Sequence, residues 1–344
     1  MVNIKELTLP ELTEWFASHG LPKFRAVQVF EWLYRHRVGS YDAMLNLPKA
    51  LREELKTTAP LVWPKIIREQ RSRIDQTRKL LLELADGQRI ESVFLPHNYG
   101  NSICVSSQVG CAMGCVFCAT GLAGFIRNLS VAEMVDQVLS FGEPVHSIVL
   151  MGMGEPMLNL DKVLTFCEIL HEERGMNIGY RHFTISTAGI PRGIRALADT
   201  GLPITLAISL HAPDDELRSN LMPINKRFPI SEILAAADYH AEQTGRRYSV
   251  EYALIAKVND HPDQARMLAQ LLRGRLCHVN LIPLNPVAGK NYERSGTKKV
   301  ENFLKVLASF GIAATVRREM GSDIEAACGQ LRARLDQDAF GSKE

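Results

Sequence analysis

The chain has 344 residues, 46% of them hydrophobic, and a formal net charge of +2. That is enough apolar material for one large domain with accessory pieces, and the near-neutral charge gives no bulk signal for nucleic-acid binding. The seven cysteines are odd in number and irregularly spaced, the N-terminus has no apolar signal region, and no apolar run approaches a membrane span. The expectation is therefore a cytoplasmic protein with free thiols, no disulfide framework and no membrane contact.

The first 60 residues read as helical. "PELTEWFASHG" sets Leu12, Trp15 and Phe16 at helical spacing and stops at Gly20, and "FRAVQVFEWLYRH" repeats the pattern with Val27, Phe30, Trp32 and Leu33. These aromatics are read as a small helical core. Residues 61–100 follow as an extension. It opens on the basic stretch "KIIREQRSRIDQTRK", Lys65 to Lys79, which suits phosphate contact or simply a solvated face. It continues as two extended runs around Asp86-Gly87, a β-hairpin signal.

From about Ser102 the pattern changes to short β-branched runs alternating with helical stretches. The runs are "SICVSS", "HSIVLMG", "HFTISTAG", "ITLAISLH", "RYSVEYALI" and "HVNLIPLNP", with "IAATVRR" as a late extra strand. About six such units predict an α/β fold, a partial (β/α)6 barrel over residues 101–320, followed by a C-terminal loop and tail over 321–344. In such barrels reactive groups gather at the C-terminal ends of the strands.

One cluster falls there. In "GCAMGCVFCATG" the cysteines Cys111, Cys115 and Cys118 are spaced three and then two residues apart, in a loop after the first barrel strand. Buried packing cysteines are disfavoured by such crowding among glycines. Zinc would need a fourth protein ligand, and no second CxxC or HxxxH pair is near. A [4Fe–4S] cluster with three thiolates leaves one iron open for another ligand. Cys-x3-Cys-x2-Cys in this position, with an aromatic (Phe117) before the last cysteine, resembles the radical S-adenosylmethionine (radical SAM) superfamily. The open iron would then take the amino and carboxylate groups of S-adenosylmethionine.

Other strand ends fit. "MGMGEP" carries Gly154 and Glu155 and resembles that superfamily's segment for the amino group of the same molecule. Ser186, Ser209, His211 and Asn285 close later strands and would form a polar ring around one mouth. Two further cysteines stand apart. Cys104 lies on the first barrel strand, whereas Cys328 follows the polar "MGSD" and precedes Gly329, as if exposed on a mobile loop. Cys167 and Cys277 read as inert packing residues.

"CVSSQVGC", the triplet, "FIRNLS", "MGMGEPMLN", "ISLHAP", "RSNLMPINK", "LIPLNP" and "DIEAACGQL" together resemble the RlmN/Cfr family, from the N-terminal helices to about Leu331. The resemblance implies a radical SAM RNA methyltransferase acting on adenine C2 in 23S rRNA and tRNA, with C8 chemistry of the Cfr type as the alternative. C2 lies between two ring nitrogens and is too electron-poor to attack a sulfonium methyl group, so a radical route is needed. The family's route implies methylation of Cys328 and hydrogen abstraction from that methyl by a 5′-deoxyadenosyl radical. The methylene then adds to C2, and attack by Cys104 on the Cys328 sulfur leaves a disulfide. Glu91, in "RIESVFLP", matches the family's proton acceptor. The same resemblance implies one cluster held by Cys111, Cys115 and Cys118, an electron donor such as flavodoxin or ferredoxin, and a monomer. A zinc-stabilised RNA-binding protein and a glycyl-radical-activating enzyme are the competing classes; the second leaves Cys104 and Cys328 without a role.

Overall fold

The computed structural model describes residues 2–122, 124–285, 287 and 291–331. Pro286 of "LIPLNP" and the tail from residue 332 on lie outside the described residues.

The N-terminal segment is helical. Helix Leu9–Ser18 starts on a capping box, in which the Thr8 side chain accepts from the Glu11 backbone and the Glu11 carboxylate accepts from that of Thr8. Helices Lys23–Phe30 and Lys49–Thr58 follow. Leu12, Phe16, Phe30, Leu33 and Leu55 are fully buried, while Trp15, Val27 and Trp32 are half-buried. The aromatics thus build a core here, as their spacing predicted.

Three strands come next: β1 (Lys65–Arg71), β2 (Arg78–Glu83) and β3 (Arg89–Leu95). β2 and β3 form the expected hairpin around Gly87, and β1 adds an outer edge, antiparallel to β2. The basic stretch is therefore not a single solvated face. Arg78 pairs with Glu69 and Glu143, and Lys79 is buried with its ammonium 3.1 Å from Glu91.

The barrel strands are β4 (Ser102–Cys104), β7 (Ser147–Leu150), β8 (Phe183–Thr187), β9 (Thr205–Ser209), β10 (Tyr248–Leu254), β11 (Cys277–Pro283) and β12 (Ala314–Val316). All run parallel. Helices Val131–Leu139, Leu160–His171, Pro191–Asp199, Ile230–Thr244, Pro262–Leu272 and Thr297–Ser309 connect them. The outcome is the expected α/β partial barrel, with "IAATVRR" as a seventh parallel strand. β3 joins β4 antiparallel, so hairpin and barrel form one ten-stranded sheet. A short side pair, β5 (Gln108–Gly110) with β6 (Phe125–Asn128), flanks the cysteine loop.

One buried ion pair ties the helical segment to the barrel. The Lys5 ammonium has no exposure and lies 2.5 and 2.7 Å from the two Asp136 carboxylate oxygens on helix Val131–Leu139. It also donates to the Val62 carbonyl and lies over the Trp63 ring. Burial lowers the Lys5 pKa against the pull of Asp136, and raises that of Asp136 to about 6. Desolvation makes such a pair expensive to break on one side only. Lys5→Met alone should cost about 3–5 kcal/mol in urea denaturation, and Lys5→Met with Asp136→Leu should recover most of it. Equal losses in both variants would mean that packing, not charge, makes the join.

Candidate active site

Two adjoining cavities occupy the barrel. The smaller, about 160 Å3, is lined by Cys111, Cys115 and Cys118 and by Gly154, Glu155, Ser186, Ser209, His211, Asn285 and Cys328. Ten residues expected from scattered motifs therefore meet in one place. The larger, about 770 Å3, is lined by Cys104 and Cys328. Cys328, Asn285, Met151, Ile282 and Arg317 line both.

The cysteine loop leaves β5 and is shaped by backbone contacts. Cys111 N donates to Gly124 O, Cys118 N to Cys115 O and Val116 N to Leu221 O. Among the described residues, no three His, Cys, Asp or Glu side chains are grouped to hold a single metal ion. A polynuclear cluster, which spreads its thiolates over separate iron corners, is not subject to that closeness. Burial pushes the Cys111 thiol up to about 12, and Cys115 upward also. Phe117 packs edge-on against the His211 ring, 4.9 Å away.

The loop after β7 passes tightly over the segment after β4. Gly154 has φ +108°, and a Cβ there would lie 2.6 Å from the Gln108 side chain; a Cβ at Gly152 would lie 2.7 Å from Ser106 Oγ. Both glycines are therefore required by approach. Gln108 accepts from Glu155 N, and Ser106 Oγ from Met153 N. The Glu155 carboxylate is buried and accepts from Met157 N and, at 2.7 Å, from Ala188 N. Burial raises its pKa, against those backbone donors.

His211 follows β9 by two residues, with φ +60°. Its Nδ1 accepts from Ala253 N at 2.9 Å, so the neutral ring carries its proton on Nε2. Burial lowers its pKa to about 3, helped by Arg218. Asn285 donates to the Cys328 carbonyl at 3.2 Å, while its Oδ1 has no hydrogen-bond partner in the structure.

Three residues that the sequence reading did not single out organise the site. Arg218 has no exposure, and its guanidinium donates to the carbonyls of Ala188, Ser209 and Leu210 and to Asn225. Arg317 follows β12 and lies between the two cavities, donating to Met151 Sδ at 3.1 Å and lying 3.8 Å from Glu251 Oε2. Its position at a barrel strand end was a readable signal. Glu251, on β10, is buried; Asn280 donates to one oxygen, and the other has no hydrogen bond.

Cys104 is buried, and burial together with the Cys328 charge pushes its thiol up to about 12, against the pull of Arg317. Cys328 departs from the expected exposed, mobile loop. It is half-buried, and its neighbours are tied down: Ala119 N donates to Gly329 O at 2.7 Å and Thr120 Oγ1 to Leu331 O at 2.6 Å. In "MGSD" the polar Ser322 and Asp323 stay exposed, but Met320 and Gly321 are buried, and Gly321 N and the Asp323 carboxylate are bonded to the β1–β2 turn. All seven cysteines are free thiols. Glu91 lies on β3 and lines neither cavity. Register places it on the sheet face of Cys104, since Val93, two residues on, opposes Cys104.

Residues 105–268 match the family model of the radical SAM superfamily, and residues 2–61 match that of the ribosomal RNA large subunit methyltransferase N-terminal domain. The chain is 51% identical over 342 residues to a protein of Symbiobacterium thermophilum named a probable dual-specificity RNA methyltransferase RlmN, covering 97% of this chain and 92% of that one. It is 49% identical over 336 residues to a protein of the same name from Clostridium perfringens, covering 96% and 97%. A crystal structure of a radical SAM methyltransferase from Sphaerobacter thermophilus superposes with a TM-score of 0.94 at 47% identity, covering 97% of this chain and all of that one.

Arg218 supplies a test of the site's frame. Arg218→Met takes the guanidinium from two buried carbonyls, those of Ala188 and Leu210, and from the half-buried Ser209 carbonyl, at about 1–3 kcal/mol for each buried one. It should lower stability by at least about 3 kcal/mol in urea denaturation. A variant within about 0.5 kcal/mol of wild type, the range of an ordinary surface change, would show that the strand ends hold without it.

Proposed function

We propose that this chain, which belongs to the RlmN family of radical SAM RNA methyltransferases, methylates C2 of adenosine in 23S rRNA and tRNA through a methyl group carried on Cys328. Radical SAM families use a [4Fe–4S] cluster and S-adenosylmethionine. The donor set of the smaller cavity fits them: three thiols for iron, with a buried carboxylate and strand-end polar groups alongside. In this reading Cys111, Cys115 and Cys118 hold one cluster per chain, and Gly154, Glu155, Ser186, Ser209, His211 and Asn285 hold S-adenosylmethionine. Glu155, an acceptor in the site, faces the amino group, and Asn285 Oδ1 gains a partner on loading. When bound, these groups supply both a methyl donor and a one-electron cleavage that yields a hydrogen-abstracting radical.

The observation that carries the proposal is the position of Cys328, which lines both cavities. A methyl on its sulfur is reachable from the cofactor side, and its carbon, once radical, is reachable by a base in the larger cavity. Cys104 lines that larger cavity. Its thiolate attacks the Cys328 sulfur, the electron pair of the sulfur–carbon bond passes to the carbon on adenine, which takes up a proton to become the methyl group, and the two cysteines end as a disulfide. Arg317, between the cavities, offsets the charge of either thiolate. The C2 proton passes to Glu91, and the unpaired electron of the adduct would be given up to the bound cluster, which restores the aromatic ring before the thiolate attacks. Because that carboxylate is ion-paired with Lys79 and lines neither cavity, it receives the proton through a relay and not by direct contact. The match of residues 2–61 to the rRNA methyltransferase N-terminal model favours C2 over C8; mass spectrometry of digested RNA distinguishes 2-methyladenosine from 8-methyladenosine.

Cys115→Ala should lose cluster iron and abolish cleavage of S-adenosylmethionine. A full complement of iron, with normal formation of 5′-deoxyadenosine, would refute the ligand assignment.

The two remaining cysteines separate by order of action. Cys104→Ala should still link Cys328 to adenine and then stall, since nothing opens the carbon–sulfur bond. Cys328→Ala should form no link. A denaturing gel of each variant purified from cells should show a ribonuclease-sensitive shift for Cys104→Ala alone. With clusters intact and no shift in either, the covalent route would be wrong.

A further inference from the structure

The larger cavity has a rim that the chemistry above does not use. Its deep wall is formed by Cys104 and by residues at the starts of barrel strands, Ser102, Ser147 and Thr184. Its rim is formed by His97, Tyr99, His146, Arg181, His182 and Arg318. His97 and Tyr99 lie in the β3–β4 connection, and His146, Arg181 and His182 immediately precede β7 and β8. Much of the rim is therefore at the N-terminal ends of the parallel strands, away from the cysteine triplet.

We propose that this rim is the docking site for the substrate RNA strand, with Tyr99 and His97 as a stacking platform for the nucleotide beside the target adenosine and Arg181 and Arg318 on its phosphates. The proposal rests on the RNA-methyltransferase reading and adds the surface that reads the strand.

Three observations carry it. The first is the rings. Tyr99 is 72% exposed, and its ring lies nearly parallel to that of His97, 5° apart in plane with centroids at 4.9 Å. A second pair, His146 and His182, meets at 4.3 Å and 60°. The two pairs are neighbours, because Gly100, at φ +127°, approaches His146 so closely that a Cβ there would lie 2.6 Å from it. Rings left out of the core in this way suit unstacked bases, which single-stranded RNA offers and paired RNA does not.

The second observation is charge. The lining carries Arg181, Arg317 and Arg318 against one carboxylate, Glu319, which is already paired with Arg294. The field at the rim favours a polyanion. The third is size: about 770 Å3 falls within the range of roughly 300–1,000 Å3 common for ligand pockets. An enzyme acting on a ring carbon must take the base out of its stack, and the neighbours of the extruded base then need a partner.

The test uses the iron–sulfur-loaded full chain and an RNA hairpin with the target adenosine in its loop and 2-aminopurine as the next nucleotide. Binding to wild type should quench the 2-aminopurine. Tyr99→Ala should lose the quenching and bind about tenfold more weakly, whereas Tyr99→Phe should keep both. Arg181→Ala with Arg318→Ala should lower the slope of log affinity against log salt by about two, one per lost phosphate contact. Iron content and melting temperature, equal to wild type, certify the fold of each variant. Unchanged affinity, quenching and salt slope, with a wild type that methylates the RNA, would overturn the rim while leaving the function standing. A wild type that neither binds nor methylates the RNA would overturn both.

Discussion

The site depends on one buried guanidinium. Arg218 donates to carbonyls at the ends of β8 and β9, at Ala188, Ser209 and Leu210, and to the Asn225 amide oxygen. The planar fork of an arginine offers five donors in fixed directions, which a lysine or an amide cannot reproduce. Asn225 is itself held by Asp215, which also accepts from Ile230 N. Two strand ends, one turn and the helix Ile230–Thr244 are thus fixed relative to one side chain. Ser186, Ser209 and His211 sit on those ends, and Glu155 reaches them through Ala188 N. Losing water from the guanidinium is a real cost, visible as a pKa lowered to about 10. Four hydrogen bonds in a low-dielectric interior offset it.

The two cavities divide the work, and electrostatics joins them. Burial holds Cys104 as a neutral thiol, with a pKa pushed up to about 12. A neutral thiol is a poor nucleophile, so in the proposed route it would not attack early. Arg317 is the counterweight. The Cys328 charge, ahead of those of Glu251 and Cys104, raises its pKa. A single cation between two thiols stabilises whichever is ionised. That suits the proposed route, in which one sulfur acts first as methyl carrier and the other later as attacking group.

Much of this was legible in the sequence and some was not, for physical reasons. Strands β4 and β7 to β11 announce themselves by β-branched runs, and the motifs at their ends converge because barrel geometry makes them converge. β1 hid because "KIIREQR" is mostly polar and has no buried face, as an outer edge strand can. β5 and β6 hid because they are only three and four residues long. Arg218 and Glu251 were missed because their value lies in partners far along the chain, and nothing local marks an arginine as the one that is buried; Arg317 stood at a strand end and could have been read there. Glu91 was found only by resemblance, and the Lys79 pairing that buries it could not be read from spacing. Cys328 was read as exposed because "MGSD" is polar. Ser322 and Asp323 are indeed exposed; the error was to take exposure for mobility, when Gly321 N, the Asp323 carboxylate and Glu325 O find partners in other parts of the chain.

Those partners explain why a barrel of this kind carries a hairpin extension at all. Asp75 accepts from Gly321 N at 2.8 Å, Asp323 accepts from Arg73 N at 2.9 Å, and Lys79 donates to Glu325 O at 3.1 Å. On its other side the same segment receives Ala119 N at Gly329 and Thr120 Oγ1 at Leu331. The Cys328 loop is strapped between the β1–β2 turn and the cysteine loop. In the proposed reading Cys328 faces a cofactor and then a substrate, and a thiol with those two tasks needs a fixed place between them, because a misplacement of about 1 Å can cost about a hundredfold in rate. The barrel alone supplies only one of the two straps. The other comes from the extension, so the accessory strands complete the active site from outside the catalytic barrel.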